Sequence, residues 1–217
     1  MTDTGVAMLI IDMQNGFCAP DGSFAKLGKP VENYQAMIPE LARMRDAARA
    51  SGVPVIYVSE MFRPGYPEAG YLFEHRRHPP LREVGGLLQN TWDVELVPEL
   101  TPAPEEIVVE KRRYDGFVAT DLDLVLRRLG VSRLLATGIA THACVESTVR
   151  SAVMRDYEVV VASDAVASRD ERLHRMGLEV MAAAFADVMP WREIPELAAA
   201  GADSPTGTPA PADRQTG

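Results

Sequence analysis

Three residues of this chain, Asp12, Lys111 and Cys144, combine side-chain types that together can generate a thiolate to attack a carbonyl carbon. A thiol becomes a strong nucleophile once it loses its proton, a carboxylate can take that proton, and a nearby ammonium stabilises both anions. Thiol, base and electrostatic orienter follow the general logic of a catalytic triad. Each residue also has a plainer reading. Asp12 could solvate a strand end or cap a helix, Lys111 could lie on the surface, and a lone cysteine in an apolar segment is often inert core. The chemical reading gains weight because all three follow strand-like runs.

Those runs recur along the chain. Residues 5–13 contain the continuous apolar stretch Val6-Ala7-Met8-Leu9-Ile10-Ile11, which then meets Asp12. Such runs suit parallel strands buried on both faces. Residues 53–58, 106–110, 133–137, 158–162 and 187–189 read as further strands. Helical spacing marks residues 31–50, 119–129, 170–186 and 194–200, with Thr120 or Asp121 as a cap for the second. After the fourth strand come Gly138, Thr141 as a possible helix cap, and a helix-compatible stretch from about Cys144 to Met154. The thiol would then lie in the first turn of a helix, where unpaired N–H groups favour a thiolate and a developing oxyanion. Alternating strands and helices predict one doubly wound α/β sheet with helices on both faces, in the order 3-2-1-4-5-6. In that order strands one and four flank the switch point where ligands bind, at the carboxyl edge of the sheet. Asp12 and Cys144 would face each other there, with Lys111 arriving from the third strand.

Composition narrows the class. The 217 residues are 47% hydrophobic, enough for one sizeable core, and no linker divides them. A single domain over residues 1–200 is expected, followed by a disordered Pro/Thr/Ala/Gly tail at 201–217. The net charge of −9 argues against nucleic acid as the main partner. No apolar run is long enough to span a membrane, and the N-terminus lacks a signal-peptide pattern. Cys18 and Cys144 are the two cysteines, which fits a free thiol and a cytoplasmic location. The dinucleotide fingerprint GxGxxG is missing after the first strand, where Asp12-Met13-Gln14-Asn15-Gly16 stands. Residues 59–90 form a long irregular segment, the kind that serves as a lid or binding loop. His75 and His78 lie in it, without an acidic partner at a ligand spacing, so no metal and no other cofactor is expected.

The chain resembles the isochorismatase-like cysteine hydrolases. The matching motifs are Leu9-Ile10-Ile11-Asp12-Met13-Gln14, Lys111-Arg112-Arg113-Tyr114-Asp115-Gly116-Phe117, Thr137-Gly138-Ile139-Ala140-Thr141 and Cys144-Val145-Glu146-Ser147-Thr148. The resemblance implies an Asp–Lys–Cys triad carried by Asp12, Lys111 and Cys144. It implies a non-proline cis peptide at Ile139–Ala140 that aims the N–H of Ala140, with that of Cys144, at a substrate oxyanion. It also implies cleavage of an amide or ureido C–N bond through a thioester. Members that cleave isochorismate lack the cysteine, so Cys144 argues against that reaction. Within the family, Trp92-Asp93, Arg113 to Phe117 and the Cys-Val-Glu-Ser-Thr run resemble ureidoacrylate amidohydrolases, although His142 stands where those usually have Asn. Nicotinamidases carry an Asp-x-His metal site after the second strand, where this chain has Ser59-Glu60-Met61-Phe62.

The expected substrate is therefore a small amide, ureido compound or lactam, with Phe17, Tyr114, Phe117 and His142 as pocket candidates. A homo-oligomer, dimer or tetramer, is expected mainly by resemblance, helped by apolar Val149, Val153 and Met154. The competing class is a catalytically silent binding or scaffold protein on the same fold, for which an intact Asp12–Lys111–Cys144 set would serve no purpose.

Overall fold

The computed structural model describes residues 5–77 and 79–197. Six strands, β1 (Val6–Ile11), β2 (Val55–Glu60), β3 (Ile107–Lys111), β4 (Arg133–Ile139), β5 (Glu158–Ala167) and β6 (Asp187–Met189), make one sheet. All neighbours run parallel, in the order β3-β2-β1-β4-β5-β6. Every residue of β1 and β2 is buried; the unbroken apolar run of β1 suits a strand covered on both faces, and β2 carries the same pattern as far as Val58.

The pleat divides the core in two. Met8 and Ile10 point to one face, which packs against Tyr34, Leu41 and Met44 of the long helix α3 (Glu32–Ala50). Leu9 and Ile11 point to the other, beneath Leu122 and Leu126 of α4 (Leu122–Arg128), Val149 of α5 (Glu146–Val153) and Met181 of α6 (Glu171–Ala184). Such fully buried side chains each stabilise the fold by about 1.5–3 kcal/mol over leaving them in water. Two one-turn helices, α1 (Asn15–Cys18) and α2 (Ser23–Lys26), follow β1. Asp93 holds this connection: its carboxylate accepts from Ser23 N and Oγ at 2.9 and 2.8 Å and from Leu87 N at 2.7 Å. The Trp-Asp pair thus ties the loop after β1 to the segment before β3.

Strand ends differ from the sequence expectation in ways that matter for the site. β2 runs two residues further, to Glu60, and β4 continues through Gly138 to Ile139. Gly138 does not stop β4. It adopts φ +102°, and a Cβ there would stand 2.1 Å from the Ile11 carbonyl oxygen, so only glycine lets β4 lie this close to the end of β1. β5 extends to Ala167, with a register shift between Ala136 and Gly138 of its partner. Asp121 occupies the cap position of α4 without a side-chain capping bond, while Thr120 Oγ1 accepts from Leu122 N at 3.3 Å.

Within residues 59–90 a π-type turn covers Leu72–Arg77 and a 3-10 turn Pro79–Arg82. His75 is exposed and packs by Tyr71, while His78 lies outside the described residues. Of the helix expected at 194–200, residues 195–197 are helical and the remainder, like the 201–217 tail, lies outside the described residues. Val149 is buried inside the chain and Val153 packs partly against its core, so only Met154 of the three proposed interface residues is freely exposed, at 72%. Among the described residues no helix is long and apolar enough to cross a membrane.

Candidate active site

The carboxyl ends of β1, β2, β3 and the turn after β4 converge on one buried point. Asp12 follows β1 in the left-handed region, at φ +56°, and is 1% exposed. Aspartate tolerates this conformation better than most residues. Asp12 Oδ1 accepts from Glu60 N at 3.0 Å, and Oδ2 forms an ion pair with Lys111 Nζ at 2.8 Å. The last residue of β3, Lys111, is wholly buried, because alternation along that strand turns Val109 and Lys111 inward. Its ammonium also donates to the Arg113 carbonyl at 3.1 Å, Glu60 Oε2 at 3.4 Å and Cys144 Sγ at 3.5 Å. The Cys144 sulfur lies within 4.8 Å of an Asp12 carboxylate oxygen.

Cys144 is not in the first turn of an α-helix. It sits in a wide π-type turn, Thr141–Val145, and α5 begins only at Glu146. Thr141 does not cap this turn. Its Oγ1 is hydrogen-bonded to His174 Nδ1 of α6 at 2.8 Å, which draws the turn toward that helix. Gly177 permits the approach, since a Cβ there would meet His142 Cα at 3.2 Å. From the other side, Thr148 Oγ1 donates to the Cys144 carbonyl at 2.7 Å and accepts from Gly116 N at 2.9 Å. This pair joins the Cys-Val-Glu-Ser-Thr run to the Tyr-Asp-Gly-Phe loop after β3. A cis peptide links Ile139 to Ala140 immediately before the turn.

Burial is the main influence on Asp12 and pushes its carboxyl up from the ordinary value. The Lys111 ammonium opposes the rise and Glu60 adds to it. A carboxylate with raised proton affinity beside a thiol is what a general base needs. Glu60 ends β2 as Lys111 ends β3, each a charge at the carboxyl end of a strand; the apolar run of β2 stops at Val58 and so does not announce Glu60. Gln14 fixes it: Gln14 Oε1 accepts from Glu60 N and Nε2 donates to Glu60 O, both at 2.9 Å.

Carboxylate oxygens of Asp12 and Glu60 and the Cys144 sulfur lie within 4.8 Å of one another, a grouping that by spacing alone could hold a metal. The Lys111 ammonium already stands among them, at 2.8, 3.4 and 3.5 Å. A metal cation would have to displace that buried positive charge, so the donor set does not suit one.

Above this point opens a cavity of about 290 Å³, lined by Asp12, Cys144, Ile139, Ala140, Ala143, Phe17, Phe24, Tyr34, Tyr114, His142, Lys29, Arg169, Asp170 and Leu173. Phe17, Tyr114 and His142 thus lie where the sequence suggested. Phe117 does not: it is core, stacked on Tyr157 at 6.0 Å with the Arg155 guanidinium over it at 4.8 Å. His142 Nδ1 shares a 2.8 Å hydrogen bond with Ser168 Oγ, and burial holds its pKa below the usual histidine range. Two cations of the lining, Lys29 and Arg169, had no signal in the sequence, since both come from connections without periodicity. Arg169 lies over the Phe24 and Tyr34 rings at 4.6 and 4.8 Å, with Nε donating to Pro30 O at 3.0 Å.

A parallel α/β sheet with a thiol, a carboxylate and an ammonium at its switch point defines a protein of the cysteine-hydrolase type. Comparison with known proteins agrees. The Isochorismatase domain model matches residues 6–193. Ureidoacrylate amidohydrolase RutB of Methylobacterium radiotolerans is 37% identical over 213 residues, covering 90% of this chain and 83% of that protein. The crystal structure of a cysteine hydrolase from Pseudomonas syringae pv. phaseolicola 1448A superposes with a TM-score of 0.79 at 28% identity, covering 92% of this chain and 95% of that one. N-carbamoylsarcosine amidase from Thermoplasma acidophilum superposes with a TM-score of 0.70 at 27% identity, covering 88% and 98%. The chain belongs to the isochorismatase family of hydrolases.

Proposed function

We propose that the protein is an amidohydrolase that cleaves a C–N bond of a small ureido or amide acid, with Cys144 as nucleophile. The observation that carries this reading is the buried placement of Cys144 beside both Asp12 and Lys111 at the floor of the cavity. The thiol proton passes to Asp12 as the sulfur bonds to the substrate carbonyl carbon. The carbonyl electron pair moves onto oxygen, and we assign the N–H groups of Ala140 and Cys144 as its donors. As C=O re-forms, the C–N bond breaks and Asp12 returns its proton to the leaving nitrogen. A thioester remains on Cys144. Water then loses a proton to Asp12 and attacks the same carbon; the C–S bond breaks, and Asp12 restores the thiol as the acid departs. Lys111 keeps Asp12 ionised beside a developing thiolate, two like charges that would otherwise repel. Every step uses groups of the chain and water, so the reading calls for no cofactor.

The size and charge of the cavity support the substrate class. At about 290 Å³ it lies at the small end of ligand sites. The wall carries two cations, Lys29 and Arg169, and one acid, Asp170, whose carboxylate accepts from Leu173 N at 3.0 Å, so the cations favour an anion there. Arg169, held against two rings, is a pre-organised partner for a carboxylate. Ureidoacrylate, in the name of the relative, joins a ureido C–N bond to a carboxylate. The test is ammonia release from ureido acids, their methyl esters and simple amides. Turnover that favours the free acids and disappears in Cys144→Ser is the expected result. No release from any member of the panel, or equal release by the variant, would overturn the reading and favour a silent scaffold.

A further inference from the structure

The centre holds one ionisable group more than the chemistry above uses. Glu60 is 2% exposed, and its Oε2 lies 3.4 Å from Lys111 Nζ. The ammonium that neutralises Asp12 is therefore shared between two carboxylates. Facing Glu60 are Asp12 from the end of β1, Lys111 from β3 and Cys144 from the turn after β4. Gln14 adds an uncharged amide on its backbone. The Arg113 guanidinium is directed elsewhere, to the carbonyls of Glu68 and Arg112.

We propose that Glu60 is a positioning residue that tunes the reaction: by dividing the Lys111 charge, it keeps Asp12 basic enough to deprotonate Cys144. This rests on the proposed nucleophilic role of Cys144. The physical argument is one of sign. An ammonium paired to a single carboxylate stabilises that anion strongly and leaves it a poor base. A second carboxylate on the same ammonium disfavours any further negative charge nearby, so both the Asp12 carboxylate and the Cys144 thiolate hold protons to higher pH. Removing the Glu60 charge must lower the pH at which the thiolate forms and weaken the base together. The backbone of Glu60 bonds Asp12 Oδ1 and both ends of the Gln14 amide, so the side chain can be changed while these contacts persist.

The experiment measures the rate of Cys144 alkylation by iodoacetamide against pH, by peptide mass spectrometry, in wild type, Glu60→Gln and Glu60→Asp. It needs no substrate, so its outcome is separate from whether ureido acids are turned over. For Glu60→Gln the midpoint of the profile is expected to fall by about one unit or more, while Glu60→Asp, which keeps the charge, stays within about half a unit of wild type. With a substrate in hand, Glu60→Gln should also lower kcat about tenfold, move its acid limb down and leave KM nearly unchanged. A midpoint unmoved in a folded Glu60→Gln would reduce Glu60 to a prop and overturn the proposal. Should that variant not fold, Glu60→Ala, which also removes the charge, decides: a midpoint lowered by about a unit supports the proposal and an unmoved one overturns it.

Discussion

The two cysteines make the most instructive comparison in the molecule. Cys18 closes α1 and Cys144 occupies the turn after β4; each is 1% exposed and neither is in a disulfide. Burial drives the Cys18 thiol far above its ordinary pKa, and the Arg169 charge offsets this only partly. Cys144 has Lys111 at 3.5 Å and an Asp12 carboxylate oxygen within 4.8 Å, and it lines the cavity. With burial equal, only the neighbours differ, and on the proposed mechanism those neighbours make Cys144 the nucleophile and leave Cys18 inert. What separates them is the ends of three neighbouring strands, delivered by the parallel topology to one thiol and not to the other.

The largest effect expected from breaking this comparison is at the thiols. Cys144→Ser should reduce kcat/KM by at least about 10³-fold, because a hydroxyl is far harder to deprotonate. Cys18→Ala should leave kcat/KM within about twofold while costing on the order of 1 kcal/mol in a denaturant melt. Comparable losses of activity in both would mean the neighbours do not distinguish them. Next comes Lys111. Lys111→Ala should cost about 10²- to 10³-fold, similar to loss of Asp12, since groups acting as a unit fail together. Lys111→Arg should recover little, as a planar guanidinium does not fit a site built for a compact ammonium. A near wild-type rate in Lys111→Ala would leave a Cys–Asp pair only.

A smaller, selective effect is expected at the cavity wall. Arg169→Ala should raise KM for a ureido acid about tenfold and leave its methyl ester unaffected. Equal changes for acid and ester would remove the anionic anchor. The smallest effect concerns stability. The Asp12 carboxyl is raised by burial in the fold, so its charged form opposes folding. Stability linked to this group is complete below the unfolded value of 3.8 and is lost as pH rises through the folded one. Asp12→Asn, inactive, should thus melt above wild type at neutral pH, the gap closing as the pH falls toward 3.8. A gap independent of pH would contradict the burial of charge at this site.

The sheet order was readable because strands alternate with helices, the pattern of a doubly wound sheet, and that order placed Asp12 and Cys144 together without knowledge of any contact. Lys111 was readable for the same reason. Glu60 was not, because Ser59 and Glu60 are polar residues whose place in β2 is set by pairing with Glu110 and Lys111, a tertiary fact. Gly138 resembled a stop because its role, letting β4 pass close to Ile11, is also tertiary. Thr141 had the chemistry of a cap, but His174, 33 residues later, takes its hydroxyl. Arg169 and Lys29 lie in connections, where no periodicity announces what a side chain faces. Phe117 shares a motif with Tyr114, yet only the latter reaches the cavity.

The central claim is that Cys144 is activated by its neighbours and Cys18 silenced by its burial. Competitive labelling of the folded protein with limiting iodoacetamide near neutral pH, read peptide by peptide, tests it most directly. Labelling of Cys144 should exceed that of Cys18 by at least about 100-fold, and Lys111→Ala should erase most of the difference. Equal, slow labelling of the two cysteines in the wild-type protein would contradict the account.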